Sequence, residues 1–338
     1  MEKIKLLSLL FMLVIAVSSC NNQSSEEEKV SDADQLLIET ANRYFATLPD
    51  PGDPNSPKAI LGKKLYNDNR LSANGEISCN TCHPIANYGV DNLPTSPGHD
   101  GTLGTRNSPT TFNAWFHTTQ FWDGRSPDLA DQAKGPVLNP IEMGMKSAED
   151  VIAIMRADEE YQQLFADAFP QDEEPITFDR FADAIAAFEG TLATPAAFDS
   201  FLSGVADVMT DAQKEGLTLF IETGCIVCHI GPGLGGTMMQ RFGLVHGPYY
   251  EYTNSELHDK GVAELTGKES DENVFKTPSL RNIEKTAPYF HDGSTESLHE
   301  AVKIMAYTQL GRELTDDQTN KLVEFFKSLT GKIPEHAL

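Results

Sequence analysis

The pentapeptide CNTCH at residues 79–83 combines two thiols and an imidazole at a fixed spacing, and it returns as CIVCH at residues 225–229. A Cys-x-x-Cys-His segment is typical of c-type haem attachment. Each thiol can form a thioether with one vinyl group of the same porphyrin, and the histidine can bind the iron as proximal ligand. The sequence therefore predicts two covalently bound haem c groups. The residues that would hold them are Cys79, Cys82, His83, Cys225, Cys228 and His229.

Two other uses of paired cysteines, a zinc site and a redox dithiol, fit the sequence less well. Zinc ribbons usually carry their second cysteine pair close to the first, whereas the pairs at 79–82 and 225–228 are separated by the length of a domain. A thioredoxin-like dithiol requires neither the following histidine nor a second copy of the motif. Covalent haem is therefore the preferred interpretation.

The N-terminus has the pattern of an export signal. Residues 1–5 are basic and residues 6–17 are almost entirely apolar, which predicts a signal peptide over residues 1–20 that is too short to span a membrane. The sequence VSSC at 17–20 resembles the lipobox of bacterial lipoproteins, although leucine is commoner three positions before the cysteine. This resemblance implies a periplasmic protein anchored to a membrane through lipidated Cys20. The alternative is an ordinary signal peptide with an incidental cysteine.

The remaining composition agrees with an exported soluble body. The five cysteines are accounted for by the lipobox and the two haem motifs, so no disulfide is predicted. The polar, acidic sequence NNQSSEEEK at 21–29 predicts a flexible tether over residues 21–35. The formal net charge of −24 argues against nucleic acid or an anionic membrane surface as a partner. Membrane association is expected only through the lipid anchor.

Each haem motif is preceded by a similar helical segment. The sequence ILGKKLY at 60–66 leads into the first motif, and GLTLF at 216–220 leads into the second. The second segment follows Thr210-x-x-Gln213, which has the pattern of a capping box. This repetition predicts two cytochrome c-like domains related by duplication. We expect an N-terminal haem domain over residues 36–205 and a C-terminal haem domain over residues 206–338.

Other segments also have helical periodicity. Amphipathic helices are predicted over 147–169, over 177–192 and after the capping box Thr315-x-x-Gln318. No long alternating pattern of the kind that marks β-strands is present. The expected fold is mainly α, with two cytochrome c-like haem domains packed against each other and a haem–haem interface between them.

The loops that follow the haem motifs carry a series of short segments. The N-terminal half contains GHD at 98–100, RNSPT at 106–110, FWDGR at 121–125, QAKGP at 132–136 and NPIEM at 139–143. The C-terminal half contains TPSLRN at 277–282, TAPYFHDG at 286–293, Met305 and QLG at 309–311. In order and approximate spacing, this series resembles the bacterial di-haem cytochrome c peroxidase family. The resemblance covers nearly the whole mature chain, from about residue 61 to residue 331.

The resemblance implies that the N-terminal haem, bound by His83, is the low-potential peroxidatic centre. His99 corresponds to the distal ligand that blocks the sixth position in the resting enzyme and leaves on activation. Glu142 corresponds to the catalytic acid/base, which must move a proton between the two oxygens of peroxide. Taken without the resemblance, Glu142 would be interpreted as a solvated loop acid.

The resemblance also implies that the C-terminal haem, bound by His229, is the high-potential electron-transfer centre. Met305 would be its sixth ligand, because a thioether favours ferrous iron and raises the potential. The alternative is that Met305 fills the core, as methionine often does on helices. Trp122 corresponds to the tryptophan between the haems, where it either mediates electron transfer or simply packs.

A calcium site between the domains is implied in the same way. Asn107 would contribute its side-chain oxygen, and Thr286 and Pro288 would contribute backbone carbonyls, which are ligands that suit calcium. His291, within PYFHDG, is expected to be structural or to lie near the haem interface.

The expected activity is the reduction of hydrogen peroxide to water with electrons from a small periplasmic donor, a cytochrome c or a copper protein. A homodimer is compatible with the resemblance. One alternative is a MauG-type oxidase of a partner protein, but enzymes of that type carry tyrosine where Met305 stands and lack the displaceable distal histidine. The other is a di-haem electron carrier, which would need no Glu142 and would keep both irons six-coordinate.

Overall fold

The computed structural model describes residues 30–253 and 255–338. Thirteen α-helices lie within these residues. They are α1 (Asp32–Ala41), α2 (Pro57–Tyr66), α3 (Cys79–Cys82), α4 (Leu129–Leu138), α5 (Ala148–Arg156), α6 (Glu159–Ala168), α7 (Phe178–Glu189), α8 (Ala197–Leu202), α9 (Asp211–Thr223), α10 (Tyr250–Thr253), α11 (Ala263–Thr266), α12 (Leu298–Leu310) and α13 (Asp316–Lys327). The predicted signal peptide, Cys20 and most of the predicted tether lie outside the described residues.

The β structure of the described residues is small. The strands β1 (Met239–Arg241) and β2 (Val274–Lys276) pair antiparallel, with Met239 opposite Lys276. Short 3₁₀ turns and loops connect most of the helices. The expectation of a mainly α fold is confirmed. None of the described helices is both long enough and apolar enough to cross a membrane.

The first core is formed by α2, α4, α5, α6 and α7. Leu61 and Leu65 of α2 are buried against Phe181 and Ile185 of α7. The helix α2 approaches α7 so closely that a Cβ on Gly62 would lie 1.9 Å from the Ala184 carbonyl oxygen. Only glycine allows this crossing, which sets the direction from which α2 enters the first haem motif.

The second core is built in the same way. Leu217 and Phe220 of α9 are buried against Phe325 of α13. A Cβ on Gly216 would lie 2.0 Å from the Lys321 carbonyl oxygen, so α9 also crosses its partner at a glycine. The helices that enter the two haem motifs therefore use the same packing device, which agrees with the duplication expected from the sequence. The predicted capping boxes at Thr210 and Thr315 are both present.

Two predicted elements have different bounds in the structure. The single helix expected over 147–169 is divided into α5 and α6, because the Asp158 carboxylate accepts hydrogen bonds from the backbone of Glu160 and Tyr161 and starts a new helix. The predicted tether also ends early. Ser31 caps α1, so residues 32–35, which were expected in the tether, are helical.

The N-terminal segment packs on the second core and not on the first. Ile38 and Phe45 are buried in the same cluster as Phe198 of α8 and Phe325 of α13. Phe45 and Phe198 make an edge-on contact with ring centroids 5.5 Å apart. Helices α1 and α8 precede the boundary expected between residues 205 and 206, and their apolar residues are buried in the cluster that α9 and α13 also form.

Candidate active site

The first haem motif is a single helical turn. The backbone N–H of His83 donates to the Cys79 carbonyl at 2.9 Å, which closes α3. The Nδ1 atom of His83 lies 3.3 Å from the Gly89 carbonyl oxygen. Since a carbonyl can only accept, Nδ1 carries the proton and Nε2 keeps its lone pair for a metal. Burial lowers the pKa of His83, which favours the neutral ligand form.

The second motif has the same arrangement. Gly224, with φ of 98°, ends α9, and the chain turns into a 3₁₀ helix over Cys225–Val227. The Nδ1 atom of His229 lies 2.8 Å from the Leu234 carbonyl oxygen. The lone pair of Nε2 is therefore also free to bind a metal. In both motifs, two half-buried thiols and one oriented imidazole form the donor set that haem c requires.

The alternatives to haem are disfavoured by the chemistry of the cysteines. Burial raises the pKa of Cys79 and of Cys225 to about 12, whereas a redox dithiol needs a depressed thiol pKa. Within the part of the chain that the structure describes, no disulfide joins any of the four cysteines of the two motifs. Among residues 30–253 and 255–338, no group of three or more His, Cys, Asp or Glu residues has the arrangement of a metal site. The zinc interpretation therefore has no support in this part of the chain.

His99 and Glu142 lie on two loop segments that are brought side by side. The backbone N–H of His99 donates to the Glu142 carbonyl at 2.8 Å, and His99 Nε2 lies 3.2 Å from the Pro140 carbonyl oxygen. The segments are so close that a Cβ on Gly98 would lie 1.7 Å from the Ile141 carbonyl oxygen. The glycine of GHD is therefore required for this pairing.

The charge of the Glu142 carboxylate acts on the first haem motif. Burial is the main cause of the raised pKa of the Cys82 thiol, and the negative charges of Asp91 and Glu142 add to it. Glu142 is itself half-buried, and burial raises its pKa, while the positive charge of Arg125 and a hydrogen bond from Asn139 oppose this. The Asn139 amide donates to Glu142 Oε1 at 2.9 Å.

A cavity of about 460 Å³ opens onto Glu142. Its lining includes Phe121, Arg125, Lys134, Asn139 and Glu142. The Arg125 guanidinium lies over the Phe121 ring at 3.4 Å from its centroid, which fixes both side chains at the cavity wall. A small polar molecule in this cavity would meet an acid whose pKa is raised and two basic side chains.

Trp122 and Met305 belong to one apolar cluster, although they are far apart in sequence. Both pack against the buried rings of Phe242, Tyr249 and Phe275. The indole Nε1 of Trp122 donates to the Asn107 carbonyl at 2.9 Å. This contact orients the half-buried indole, which adjoins the segment that carries the predicted calcium ligand.

His291 is a packing residue, in agreement with the sequence expectation. Its ring stacks on Phe275 with centroids 4.0 Å apart, and its Nε2 lies 3.2 Å from the Tyr249 hydroxyl. Trp122 meets the His291 ring edge-on with a centroid separation of 6.3 Å. The side chain is 2% exposed, so it is enclosed by these aromatic neighbours.

The predicted calcium ligands lie in neighbouring segments. The Asn107 backbone N–H donates to the His291 carbonyl at 2.7 Å, and Asn92 donates through its side chain to the Ala287 carbonyl at 2.6 Å. Asn107 is thus held against the loop that contains Thr286 and Pro288. The expected ligand atoms are an amide oxygen and two backbone carbonyl oxygens, and they bring no negative charge to a cation.

An ion cluster that no sequence pattern predicted joins the N-terminal half of the chain to the C-terminal half. Arg106 Nε lies 2.6 Å from Asp259 Oδ2, and the same guanidinium also pairs with Asp123. Both carboxylates are nearly buried. Arg106 belongs to the RNSPT segment, but its partner Asp259 follows 153 residues later. No local pattern indicates that pairing.

Comparison with known proteins places these features in a wider group. The family model described as di-haem cytochrome c peroxidase matches residues 56–207. The chain is 44% identical to a cytochrome c551 peroxidase of Pseudomonas aeruginosa, covering 88% of this chain and 87% of the relative. It is 45% identical to a cytochrome c551 peroxidase of Nitrosomonas europaea, covering 84% of this chain and 83% of the relative.

MauG-type proteins are also similar, at lower identity. The methylamine utilization protein MauG of Methylorubrum extorquens is 30% identical, covering 93% of this chain and 90% of the relative. Among solved structures, a MauG-like protein associated with microbial copper homeostasis superposes with a TM-score of 0.74 at 30% identity, covering 84% of this chain and 93% of that one. The fold is therefore shared with the MauG-like protein, while sequence identity is higher with the two cytochrome c551 peroxidases.

Proposed function

The chain belongs to the di-haem cytochrome c peroxidase family, and we propose on this basis that it reduces hydrogen peroxide to water with electrons from a small donor protein. Its similarity to cytochrome c551 peroxidases, which extends over most of the chain, carries this proposal. These relatives are named as peroxidases and as acting with cytochrome c551. We assign hydrogen peroxide and a c-type cytochrome as the two reactants of this chain. A copper protein remains a second class of donor.

Haem c attached at each motif would supply the iron and the redox chemistry of peroxide reduction. At the first motif, Cys79 and Cys82 are the attachment points, and His83 offers Nε2 because the Gly89 carbonyl holds its other nitrogen. The corresponding residues of the second motif are Cys225, Cys228, His229 and Leu234. We assign the peroxidatic role to the first motif and the electron-transfer role to the second.

We assign Glu142 the role of proton carrier. Peroxide must lose a proton from one oxygen and gain one on the other for its O–O bond to break heterolytically. Asn139 holds Glu142 Oε1, which leaves Oε2 as the oxygen that exchanges the proton. Burial raises the pKa of Glu142 above its usual value, which makes the carboxyl a better proton acceptor than an exposed one.

His99 is the proposed gate above the first site. In this structure its Nε2 is engaged by the Pro140 carbonyl, so ligation through that nitrogen requires this contact to break. The segment at 98–100 would then have two arrangements, one in which the imidazole blocks the site and one in which its own loop holds it aside. Such a local rearrangement can couple the redox state of one centre to access at the other.

Trp122 and Met305 form the proposed electron-transfer side of the site. Their common packing against Phe242, Tyr249 and Phe275 supports a role for Trp122 between the two centres. Met305, half-buried on α12, is the proposed sixth ligand of the second haem. An apolar, thioether-ligated setting favours the ferrous state, which suits a centre that takes electrons from an external donor.

The remaining assignments concern a metal ion, assembly and location. We propose one calcium ion held by Asn107, Thr286 and Pro288, since these oxygens lie on segments that are already in contact. The leader-like residues 1–20 and the lipobox support a periplasmic protein anchored through Cys20. Residues 36–205 and 206–338 remain the proposed haem domains, with α1 completing the second core. A homodimer is proposed from the family resemblance alone.

The test of the function is peroxide-dependent oxidation of reduced cytochrome c by the haem-loaded protein. We expect turnover, and we expect it to be faster after the second haem has been reduced with an electron donor. A protein that binds two haems but leaves the reduced cytochrome unchanged by peroxide, with or without prior reduction, would be an electron carrier. Preferential oxidation of a partner protein's side chains would favour the MauG-type activity.

Haem attachment can be tested by removing the thiols of the second motif. Changing both Cys225 and Cys228 to Ala is expected to leave one covalent haem, held through Cys79 and Cys82. The pyridine haemochrome absorbance per protein should therefore fall by half. Changing both Cys79 and Cys82 to Ala is the matched control, and that variant should retain the haem held through Cys225 and Cys228. Two covalent haems in either double variant would contradict the assignment.

The ligand role of Met305 predicts a change in one potential only. Met305→His should lower the potential of the second haem, because imidazole stabilises ferric iron better than a thioether does. The shift should be a sizeable part of the roughly 0.8 V range over which axial ligands set haem potentials. A spectroelectrochemical titration checks this, and the potential of the first haem, which should be nearly unaffected, is the internal control. Unchanged potentials in Met305→His would show that another residue binds the iron.

A further inference from the structure

A group of hydrogen-bond donors is buried where β2 meets the loop before Trp122. Lys276 is 8% exposed, and it is the one lysine that is buried among residues 30–253 and 255–338. Its Nζ donates to the Thr119 carbonyl at 2.9 Å and lies 3.5 Å from His117 Nδ1. Within that same part of the chain, it forms no ion pair with a carboxylate. Burial lowers the pKa of Lys276 to about 8, and the negative charge of Asp123 partly offsets this.

Apart from Asp123, whose carboxylate is paired with Arg106 and Arg125, the neighbours of Lys276 add donors and no negative charge. Burial, followed by the charge of Lys276, lowers the pKa of His117 to about 3, so the imidazole is neutral. Its Nδ1 faces the lysine ammonium and accepts, which places the proton on Nε2. His117 Nε2 and Thr119 Oγ1 are buried and have no hydrogen-bond partner among the described residues. The three side chains therefore present donors in excess, and the acceptor that would satisfy them is not among the neighbouring side chains.

The donors lie against the segment that follows the second haem motif. A Cβ on Gly236 would lie 2.2 Å from the His117 ring, and the Gly236 carbonyl accepts from Thr118 at 3.1 Å. Lys276 pairs with Met239 across the two-stranded sheet. Leu234, whose carbonyl orients His229, belongs to the same segment. The cluster is therefore continuous with the site assigned to the second haem.

We propose that Lys276, with His117 and Thr119, receives a propionate carboxylate of the haem attached at Cys225 and Cys228. The inference rests on the proposed binding of that haem. A carboxylate is the acceptor that an ammonium, an imidazole N–H and a hydroxyl all require, and haem c carries two of them. A buried lysine without an acidic partner in a chain of net charge −24 marks a place where the negative charge comes from elsewhere.

The same lysine connects this carboxylate to the tryptophan loop. The Lys276 backbone N–H donates to the Trp122 carbonyl at 2.7 Å, and its ammonium holds the Thr119 carbonyl on the other side of Phe121. A change in charge at the second haem would therefore act on a residue that is hydrogen-bonded to the backbone of the Trp122 loop at two points, once through its ammonium and once through its backbone N–H. Lys276 is a positioning residue in this proposal and does not touch peroxide.

The test uses the full haem-loaded chain and measures the two potentials separately. A positive charge near a haem favours the reduced state, so Lys276→Gln should lower the potential of the second haem. We expect at least a tenfold fall in the ratio of reduced to oxidised haem at a fixed potential, which is about 59 mV for a one-electron couple. Lys276→Arg should restore the wild-type value. Lys260→Gln removes an exposed charge from the same half of the chain and should have little effect.

The outcomes separate this proposal from the general function. A shift confined to the first haem, or equal shifts in Lys276→Gln and Lys260→Gln, would overturn it even if peroxide turnover and two haems are found in the wild type.

Should Lys276→Gln fail to load haem, Thr119→Val provides the second test. It should lower the midpoint of thermal unfolding of the loaded protein, because it deprives the carboxylate of a donor. Thr330→Val, at another unpaired buried hydroxyl, is the control and should not. An unchanged or raised midpoint in Thr119→Val would also overturn the proposal.

Discussion

Glu142→Gln should lower peroxide turnover by about 10²-fold or more, the usual effect of removing a general acid or base. Glutamine keeps the size of the side chain and can still accept from Asn139, but it cannot take a proton from peroxide. Peroxide binding should therefore persist while the chemical step slows. Stopped-flow mixing of the prereduced protein with peroxide separates the two, because binding and turnover appear as different phases.

The control for this substitution is an acid of the same type outside the site. Glu149 is an exposed residue at the start of α5, and Glu149→Gln should leave turnover unchanged. Full activity of Glu142→Gln would exclude the acid/base role.

Removing the Asn139 amide tests the direction in which the pKa of Glu142 shifts. The Asn139 hydrogen bond lowers the pKa of Glu142, so Asn139→Ala should raise that pKa further. If the ionised carboxylate must first accept a proton, the acid limb of the profile of kcat/KM against pH should move to higher pH. A profile that stays in place, or moves to lower pH, would contradict this role for Glu142.

His99→Gly should convert the resting protein into one that reacts with peroxide without prior reduction. If the imidazole is the ligand that blocks the first site, its removal leaves that position open and the resting iron high-spin. Electronic absorption and electron paramagnetic resonance spectra of the resting variant would show the change. Rapid mixing with peroxide, without any added reductant, would then show whether the activation step has become unnecessary.

The contacts of His99 supply a second variant with a related prediction. A Cβ on Gly144 would lie 2.3 Å from the His99 ring, at a backbone φ of 70° that side chains rarely adopt. Gly144→Ala should therefore disfavour the arrangement in which the loop holds the imidazole aside, so the first haem should stay six-coordinate and low-spin even after the second haem has been reduced. His258→Gly, at an exposed loop histidine, is the control and should leave the spectrum unchanged. A six-coordinate, low-spin first haem in His99→Gly would refute the gate, unless another side chain had taken its place.

The parts of the molecule that the sequence predicted well are those whose chemistry is local. Haem attachment needs only five consecutive residues, and the capping boxes at Thr210 and Thr315 need four. The helices α7 and α13 followed from the periodicity of apolar side chains that the structure buries. The identities of His99, Glu142, Met305 and the calcium ligands came from the family resemblance, because no local pattern distinguishes them from other residues of their type.

By itself, then, the sequence determined the cofactor type, the mainly α fold and the family, since these depend on short motifs and on periodicity. The tertiary structure alone decided that α1 completes the second core, that Asp158 divides a predicted helix, and that Arg106 pairs with Asp259. It also decided that Lys276 is buried and forms no ion pair with any acidic residue that the structure describes. Burial and ion pairing depend on which distant segments meet, and the free energy of each such contact is set by neighbours that a linear pattern does not reveal.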